Sequence, residues 1–345
     1  MLKIGLVSPF LPEKDGIAIY SDNLLKGMEK NKKHIITIGR KGSKSDYITD
    51  FKSFSLKKDL KKIIKKEKLS LIHIQYVPTL FGKYNLNYNL IKSLDLPIPI
   101  IVTLHEVHYS NKGLRNKTLT AIEKQIIKRA NKIIVHSPQQ KEFLRRKYKT
   151  NKITVIYHGL RLNKIPKRIN KKNILCFGMI SQGKGVPYLI KAMKYLPDYN
   201  LTIAGNFINK ETRKSVLSAI NNSKSNIKTD FKWIDEEDKE KYYKKADCAV
   251  LPHTWAPYQS GILHNSVAWN LPVIVTKIGA LYEMVELFKF GEIIKPKNPK
   301  ALAEGIKTVF KNYSSYKKGI DRYKKAANWK NIAKQHFKLY SEYDI

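Results

Sequence analysis

The sequence predicts an α/β protein made of two domains, each a parallel sheet built from βαβ units and wrapped in helices. Three observations predict it. The chain has 345 residues, too long for one ordinary core and suited to two domains of roughly 100–200 residues each. Short β-branched apolar runs alternate with lysine-rich amphipathic stretches, the rhythm of βαβ units. A polar, proline-containing joint at Arg161–Lys172 separates two sets of such runs. With 42% hydrophobic and 10% aromatic residues, the chain can bury a substantial core, which excludes general disorder.

The expected strands of the first half are Lys3–Val7, His34–Ile38, Leu71–Gln75, Ile100–Leu104, Lys132–Val135 and Ile153–Ile156. Those of the second are Asn173–Phe177, Asn200–Ala204, Asn226–Lys232, Cys248–Leu251, Pro272–Thr276 and Gly291–Ile294. Between them, Asp15-Gly16 precedes a helical face running from Ile17 to Leu25. Ser137-Pro138 is a cap-then-proline start for a helix over Gln139–Tyr148. Val186–Tyr195 and Ile262–Trp269 are expected helices of the second half. The first domain is placed at 1–162, with 325–345 crossing back to it, and the second at 170–322. Parallel sheets bind ligands beyond the carboxyl ends of their strands, so the loops after the strands are where chemistry is expected.

Charge is the unusual feature of the composition. Sixty-six basic against 28 acidic residues give +38, implying anionic company: nucleic acid, phosphorylated substrates or an acidic membrane surface. The two cysteines, Cys176 and Cys248, lie in apolar runs and are too few for a disulfide framework or zinc cluster. No apolar stretch approaches the roughly 18–20 residues of a membrane span. The strand-like start at Leu2 leaves no room for a signal peptide. A cytoplasmic chain, peripheral on the inner face of the membrane, is the expectation.

Three stretches could carry chemistry. Gly178-Met179-Ile180-Ser181-Gln182-Gly183-Lys184-Gly185 lies between a strand and a helix and mimics the spacing of a P-loop. Gly185 stands where magnesium would need a serine or threonine. What survives is a flexible loop offering the Lys184 ammonium to a phosphate-sized anion. In the second stretch, Pro252 to Asn265, Ser260-Gly261 opens a helix whose free amides and dipole suit an anion. Two phosphate-directed features on one sheet edge suggest a nucleotide diphosphate. The third group holds Gly16, in a glycine turn after the first strand, with His73 near the end of another strand and His105-Glu106 after a third. The remaining histidines, His108, His136, His158, His253, His264 and His336 among them, lack metal-ligand spacing, and no metal is expected. A GxSxG elbow is also missing, which argues against a Ser-His hydrolase.

In their order and spacing, these motifs resemble the retaining GT-B glycosyltransferases of family 4, the glycosyl transferases of group 1. The likeness runs through Gly16–Tyr20, Ile72–Tyr76, Val102–Glu106, Val135–Leu144, Val155–Gly159, Phe177–Ala192, Ile234–Pro252, Gln259–Leu263, Asn270–Val285 and Asn328–Phe337. It implies two Rossmann-like domains facing across a cleft, and a hexosyltransferase that moves a sugar from a nucleotide-diphosphate donor to a glycan or lipid-linked acceptor with retention. Carried over by position, Lys184 would neutralise the diphosphate and the amides around Gln259, Ser260, Gly261 and Ile262 would cradle it. Gly16 would admit its close approach, and His105 would lie close to the transferred sugar as the catalytic histidine. No cofactor and no metal are implied. The segment around Trp329 resembles the helix that returns to the first domain.

The chain departs from the family pattern at three positions. Counted back from Pro272, the paired acids of the E-x7-E signature are Pro257 and Asn265 here. Asn265 retains the capacity to hydrogen-bond a ribose hydroxyl. The arginine that often follows the first glycine of the lysine loop is Met179. Loops near Asn206 and Ile234 are expected to meet the base. Two other readings stay open: a GT-B relative with different chemistry, such as an epimerase or an inactive binder, and a nucleic-acid-binding protein, although no nucleic-acid reader motif is present. From Asn111 to Lys172, 19 basic residues face only Glu123 and Glu142. This belt, with Leu119, Ile122, Ile126 and Ile127 on one helical face, is either a core-facing helix with a solvated basic side or a contact with anionic lipid.

Overall fold

The computed structural model describes residues 2–29, 34–82, 87–109, 113–165, 171–256 and 260–344. The chain divides into two units, Met1–Gly159 with Ala327–Ile345, and Leu160–Ala326.

The first unit runs β1 (Ile4–Val7), α1 (Gly16–Gly27), β2 (Ile35–Gly39), β3 (Tyr47–Ile48), α2 (Leu56–Glu67), β4 (Leu71–Tyr76), α3 (Pro78–Phe81), α4 (Tyr88–Ser93), β5 (Ile100–Leu104), α5 (Leu114–Arg129), β6 (Lys132–Val135), α6 (Pro138–Tyr148) and β7 (Ile153–Val155). Its seven strands pair in parallel in the order β3-β2-β1-β4-β5-β6-β7. The second unit holds β8 (Asn173–Phe177), α7 (Val186–Ala192), β9 (Asn200–Ala204), α8 (Lys210–Asn221), β10 (Ile227–Asp230), α9 (Glu236–Lys245), β11 (Cys248–Leu251), α10 (Gly261–Ala268), β12 (Val273–Thr276), α11 (Glu283–Phe288), β13 (Gly291–Ile294), α12 (Pro299–Lys311) and α13 (Tyr313–Ala327). Its six strands are also parallel, in the order β10-β9-β8-β11-β12-β13. In both sheets the order reverses once, between β1 and β4 and between β8 and β11. Loops leaving those paired strands turn to opposite faces and open a crevice at the carboxyl edge.

The strands alternate between two cores because successive side chains point to opposite faces. Ile72, Ile74 and Tyr76 of β4 pack with Ile100, Val102 and Leu104 of β5 on one face. Leu71 and Ile101 point to the other, where they meet Ile4, Leu6, Tyr20 and Leu24. Apolar residues on both faces are what a sheet covered on both sides requires.

That second face is closed by the last helix, α14 (Trp329–Tyr340), which belongs with the first unit. It starts where Asn328 caps the amide of Asn331, and it buries Ile332, Ala333, His336, Leu339 and Tyr340. Two glycines let it approach. A Cβ at Gly27 would lie 2.5 Å from the Trp329 carbonyl oxygen, and one at Gly159 would lie 2.4 Å from the Trp329 indole.

Some local expectations are revised. Strand β3 is only two residues long and has no apolar run to announce it; it forms by pairing with Ile38 and Gly39. The helix expected over Val186–Tyr195 ends at Ala192 and tightens into a 3-10 turn at Met193–Tyr195. In α5, Leu119, Ile122, Ile126 and Ile127 are all buried, so this apolar stripe faces the core and offers nothing to lipid. Glu123, one of the two acids in the basic belt, is buried as well. It accepts hydrogen bonds from Tyr148 Oη (2.6 Å) and the His108 amide (3.0 Å) and pairs with Lys147 Nζ at 3.1 Å. Glu142 binds Arg145 and Arg146, which hold its carboxyl down at about 2.

Candidate active site

In the second unit, the loops after β8 and β11 are stitched together. Gly178 (φ +107°) lets the chain turn out of β8, and a Cβ there would sit 3.1 Å from the Ile262 side chain of α10. Gly183 O accepts a hydrogen bond from the Thr254 amide at 2.8 Å. At Gly185 (φ +66°) a Cβ would fall 2.0 Å from the Pro252 carbonyl oxygen, so only glycine fits. Lys184 therefore lies in a fixed 3-10 turn, Gln182–Lys184, rather than in the flexible loop expected of it.

The surroundings of its ammonium decide its chemistry. Lys184 Nζ donates to His253 Nε2 at 2.8 Å, and among the described residues it has no carboxylate partner. Burial lowers its pKa to about 8, the neighbouring Cys176 acting weakly the other way. His253 is buried; burial, and then the adjacent Lys184, push it down to about 3. A cation held by a neutral imidazole keeps its charge for an incoming anion.

In the same unit, α10 begins at Gly261 after Ser260, whose side chain makes no capping hydrogen bond. A Cβ on Gly261 would meet nothing within 4 Å, and among the described residues the amides of Gly261 and Ile262 have no hydrogen-bond partner, so they can receive an anion. The helix is anchored from behind, where His264 Nδ1 meets Tyr323 Oη at 2.9 Å. Asn265 is half-buried and makes no side-chain hydrogen bond among the described residues. Gln259 and Pro257 lie outside the described residues. Met179, at the arginine position, is exposed; Asn206 is exposed, whereas Ile234 is buried.

In the first unit, the carboxyl edge carries imidazoles. Period-two alternation puts His73 and Gln75 of β4 on the same face as Thr103 of β5, and His105 and His136 continue that face past the ends of β5 and β6. His105 Nε2–H donates to Gln75 Oε1 at 2.8 Å, and its Nδ1 faces His136 Nε2 at 3.3 Å. His136 Nδ1–H donates to the Ile156 carbonyl at 2.9 Å. His73 contacts Tyr340 Oη (2.6 Å) and Thr103 Oγ1 (2.7 Å). Tyr20 packs against the rings of His105, His136, His158 and Trp329 at centroid distances of 4.7, 5.6, 5.1 and 5.1 Å. Burial holds His105 well below its usual pKa, helped by the nearby histidines; it holds His136 at about 4 and His158 at about 3. The cluster is a set of neutral imidazoles, and with the His105 proton on Nε2 and the His136 proton on Nδ1 the two facing nitrogens both present lone pairs.

Glu106 makes no hydrogen bond to His105, whose ring is held by Gln75 and packed against Tyr20 and His136. Motif spacing assigns no role to Gln75 or His136, although a signal exists for both: a polar residue on the same face at the end of successive strands, in IHIQY, VTLHE and VHS; Tyr20, on α1, lies outside that pattern. Gly16 opens α1 behind the Asp15 cap, which accepts from the Ile17 amide at 2.7 Å, and a Cβ on Gly16 would meet nothing within 4 Å. The structure thus places Lys184, Gly261 and Ile262 in one unit, with Gly178 of the lysine loop against Ile262, and packs His105 against the rings of Tyr20 and His136 in the other. Among the described residues, no three His, Cys, Asp or Glu side chains are placed to share a metal ion, and no helix is long and apolar enough to cross a membrane.

Two parallel Rossmann-like units, with ligand-directed groups at the carboxyl edges of both sheets, define a protein of the GT-B class. The comparisons agree. Sucrose-phosphate synthase from Thermosynechococcus elongatus superposes with a TM-score of 0.78 over 99% of both chains at 22% identity. Anabaena HepE, solved with UDP-glucose, does so with a TM-score of 0.75 over 99% of this chain and 100% of its own at 14% identity. An uncharacterized glycosyltransferase of Methanocaldococcus jannaschii is 25% identical over 98% of each chain, and a second from that organism is 25% identical over 99% of each. The model for glycosyl transferases group 1 matches residues 161–336, and the model for glycosyltransferase family 4 matches residues 15–164. The chain belongs to the group 1 glycosyl transferases and is a nucleotide-sugar-dependent glycosyltransferase of family 4 type.

Proposed function

We propose that this enzyme transfers a hexose from a UDP-sugar, with retention of configuration, to a glycan or lipid-linked acceptor in polysaccharide biosynthesis. The observation that carries the donor assignment is Lys184: a half-buried ammonium without a carboxylate partner among the described residues, held by His253 in a loop that packs against α10 where Gly178 meets Ile262. As the sugar–phosphate bond breaks, negative charge grows on the departing diphosphate. Lys184 and the amides of Gly261 and Ile262 are the groups that stabilise it, a role these residues fill without a bound metal. HepE, of the same fold, has been solved with UDP and with UDP-glucose, which supports uridine as the base. Asn265 is assigned to a ribose hydroxyl. His105 is assigned to the transferred sugar, where a neutral ring exchanges hydrogen bonds with hydroxyls without attracting the diphosphate.

Retention follows from the family resemblance. The acceptor is assigned to an anionic membrane surface because the belt from residue 111 to 172 is strongly basic. With the apolar face of α5 in the core, that attraction is electrostatic, worth about 1 kcal/mol for each basic residue near the surface. Transfer of radiolabel from UDP-glucose, UDP-galactose or UDP-N-acetylglucosamine into a membrane lipid fraction, with NMR of the product anomer, tests the whole reading. Label in a lipid or glycan with the donor's α configuration is expected. Transfer from a guanosine- or adenosine-linked donor alone, or a β product, would overturn the donor or stereochemical assignment.

A further inference from the structure

We propose that His253 is a positioning residue for donor binding, whose neutral imidazole holds the Lys184 ammonium in place without neutralising it. This rests on the assignment of Lys184 to the diphosphate. His253 lies beyond the carboxyl end of β11, 69 positions after Lys184, and no motif links the two.

Three observations fix the pair. The backbone ties the loops together through Thr254 N–H to Gly183 O (2.8 Å), while Gly185 sits against Pro252. The His253 backbone is held in turn, its carbonyl accepting from Thr276 Oγ1 at 2.6 Å. Its ring then lies 2.8 Å from Lys184 Nζ, so Nε2 must be the lone-pair nitrogen, because an ammonium can only donate. Among the described residues the other titratable group facing the ammonium is Cys176 of β8, a buried thiol pushed up to about 12 and hence neutral. A carboxylate at position 253 would fix the ammonium equally well but would pair with it and compete with the diphosphate. A neutral acceptor fixes it and leaves the charge available.

The pair also sets a pH dependence. Burial lowers the Lys184 pKa to about 8, so the ammonium loses its proton as pH rises through that value and UDP affinity falls with it. Placing a carboxylate beside it would raise that pKa and move the fall upward.

Calorimetric titration of the full-length protein with UDP between pH 7 and 10 tests this in wild type, Lys184→Ala, His253→Gln and His253→Glu, with thermal melting to confirm that each folds. Glutamine places an acceptor oxygen near the Nε2 position and is expected to bind UDP within about threefold of wild type, with the same fall near pH 8. Glutamate is expected to bind about tenfold or more weaker at pH 7, with the fall displaced upward by about one pH unit or more. Glutamate and glutamine variants with equal affinity and the same pH profile, alongside a weakened Lys184→Ala, would overturn the role of His253 alone. A Lys184→Ala protein that binds UDP like wild type would overturn the donor assignment itself.

Discussion

The carboxyl edges of the two sheets are equivalent in topology and opposite in chemistry. In the first unit the edge is crowded: His105 donates to Gln75, His73 contacts Gln75, Thr103 and Tyr340, and Tyr20 packs on the rings of His105 and His136. In the second it is sparse. One lysine has a neutral partner, one helix start has no side-chain cap, and glycines stand where side chains would fill the space. Burial acts on both edges in the same direction, discharging the imidazoles and loosening the proton of Lys184. The difference lies in what remains charged at neutral pH. The first edge offers neutral donors and acceptors suited to hydroxyls, and the second offers a positive charge and free amides suited to phosphate.

That contrast can be broken most severely at Lys184. Replacing it with alanine should lower kcat/KM for sugar transfer by about 100-fold or more, the range seen when one group stabilising a developing anion is removed. Steady-state kinetics with varied donor will show it, while acceptor KM should stay within about threefold. A smaller effect is expected at Gln75. Gln75→Leu leaves the buried His105 Nε2–H without an acceptor, which should cost about 1–3 kcal/mol of stability. It should also lower kcat several-fold and leave UDP affinity within about twofold, because the first edge does not serve the phosphates. Denaturant unfolding combined with UDP titration separates these outcomes; a loss of UDP affinity as large as the loss of kcat would erase the distinction between the edges.

The mildest test is pH. His136 and His336 titrate at about 4 in the folded chain, and His73 and His105 lie well below their usual range. Unfolded histidines take up protons near pH 6.5. Below that pH the unfolded chain therefore binds protons that the folded chain refuses, and stability falls as pH falls, by up to about 1.4 kcal/mol per pH unit for each histidine. Above about pH 6.5 this contribution is fully present. Melting temperatures from pH 8 to pH 4.5 should be flat and then decline; a rise on acidification would mean that the imidazoles are charged in the folded state.

The fold was legible because period and punctuation agree along most of the chain. Strands Ile100–Leu104, Lys132–Val135, Asn173–Phe177, Asn200–Ala204, Cys248–Leu251 and Gly291–Ile294 fall where their apolar runs place them. Strand β3 was not legible, since Tyr47-Ile48 sits among polar residues and owes its form to a neighbour rather than to its own pattern. The glycosyltransferase family was legible in the order of motifs. The partners of the site residues were not. His253 meets Lys184 across 69 residues, and Gln75 meets His105 across 30, distances over which spacing carries no information without the sheet order. The basic belt was legible as charge but ambiguous as function, because only packing shows that Leu119, Ile122, Ile126 and Ile127 point inward.

The central claim is that the second unit binds the diphosphate through Lys184 and the start of α10. A crystal structure of the UDP complex tests it most directly. The account predicts phosphate oxygens within about 3.2 Å of Lys184 Nζ and of the Gly261 or Ile262 amides, with Lys184 still bonded to His253. A diphosphate bound by other residues, with Lys184 directed away from it, would contradict it.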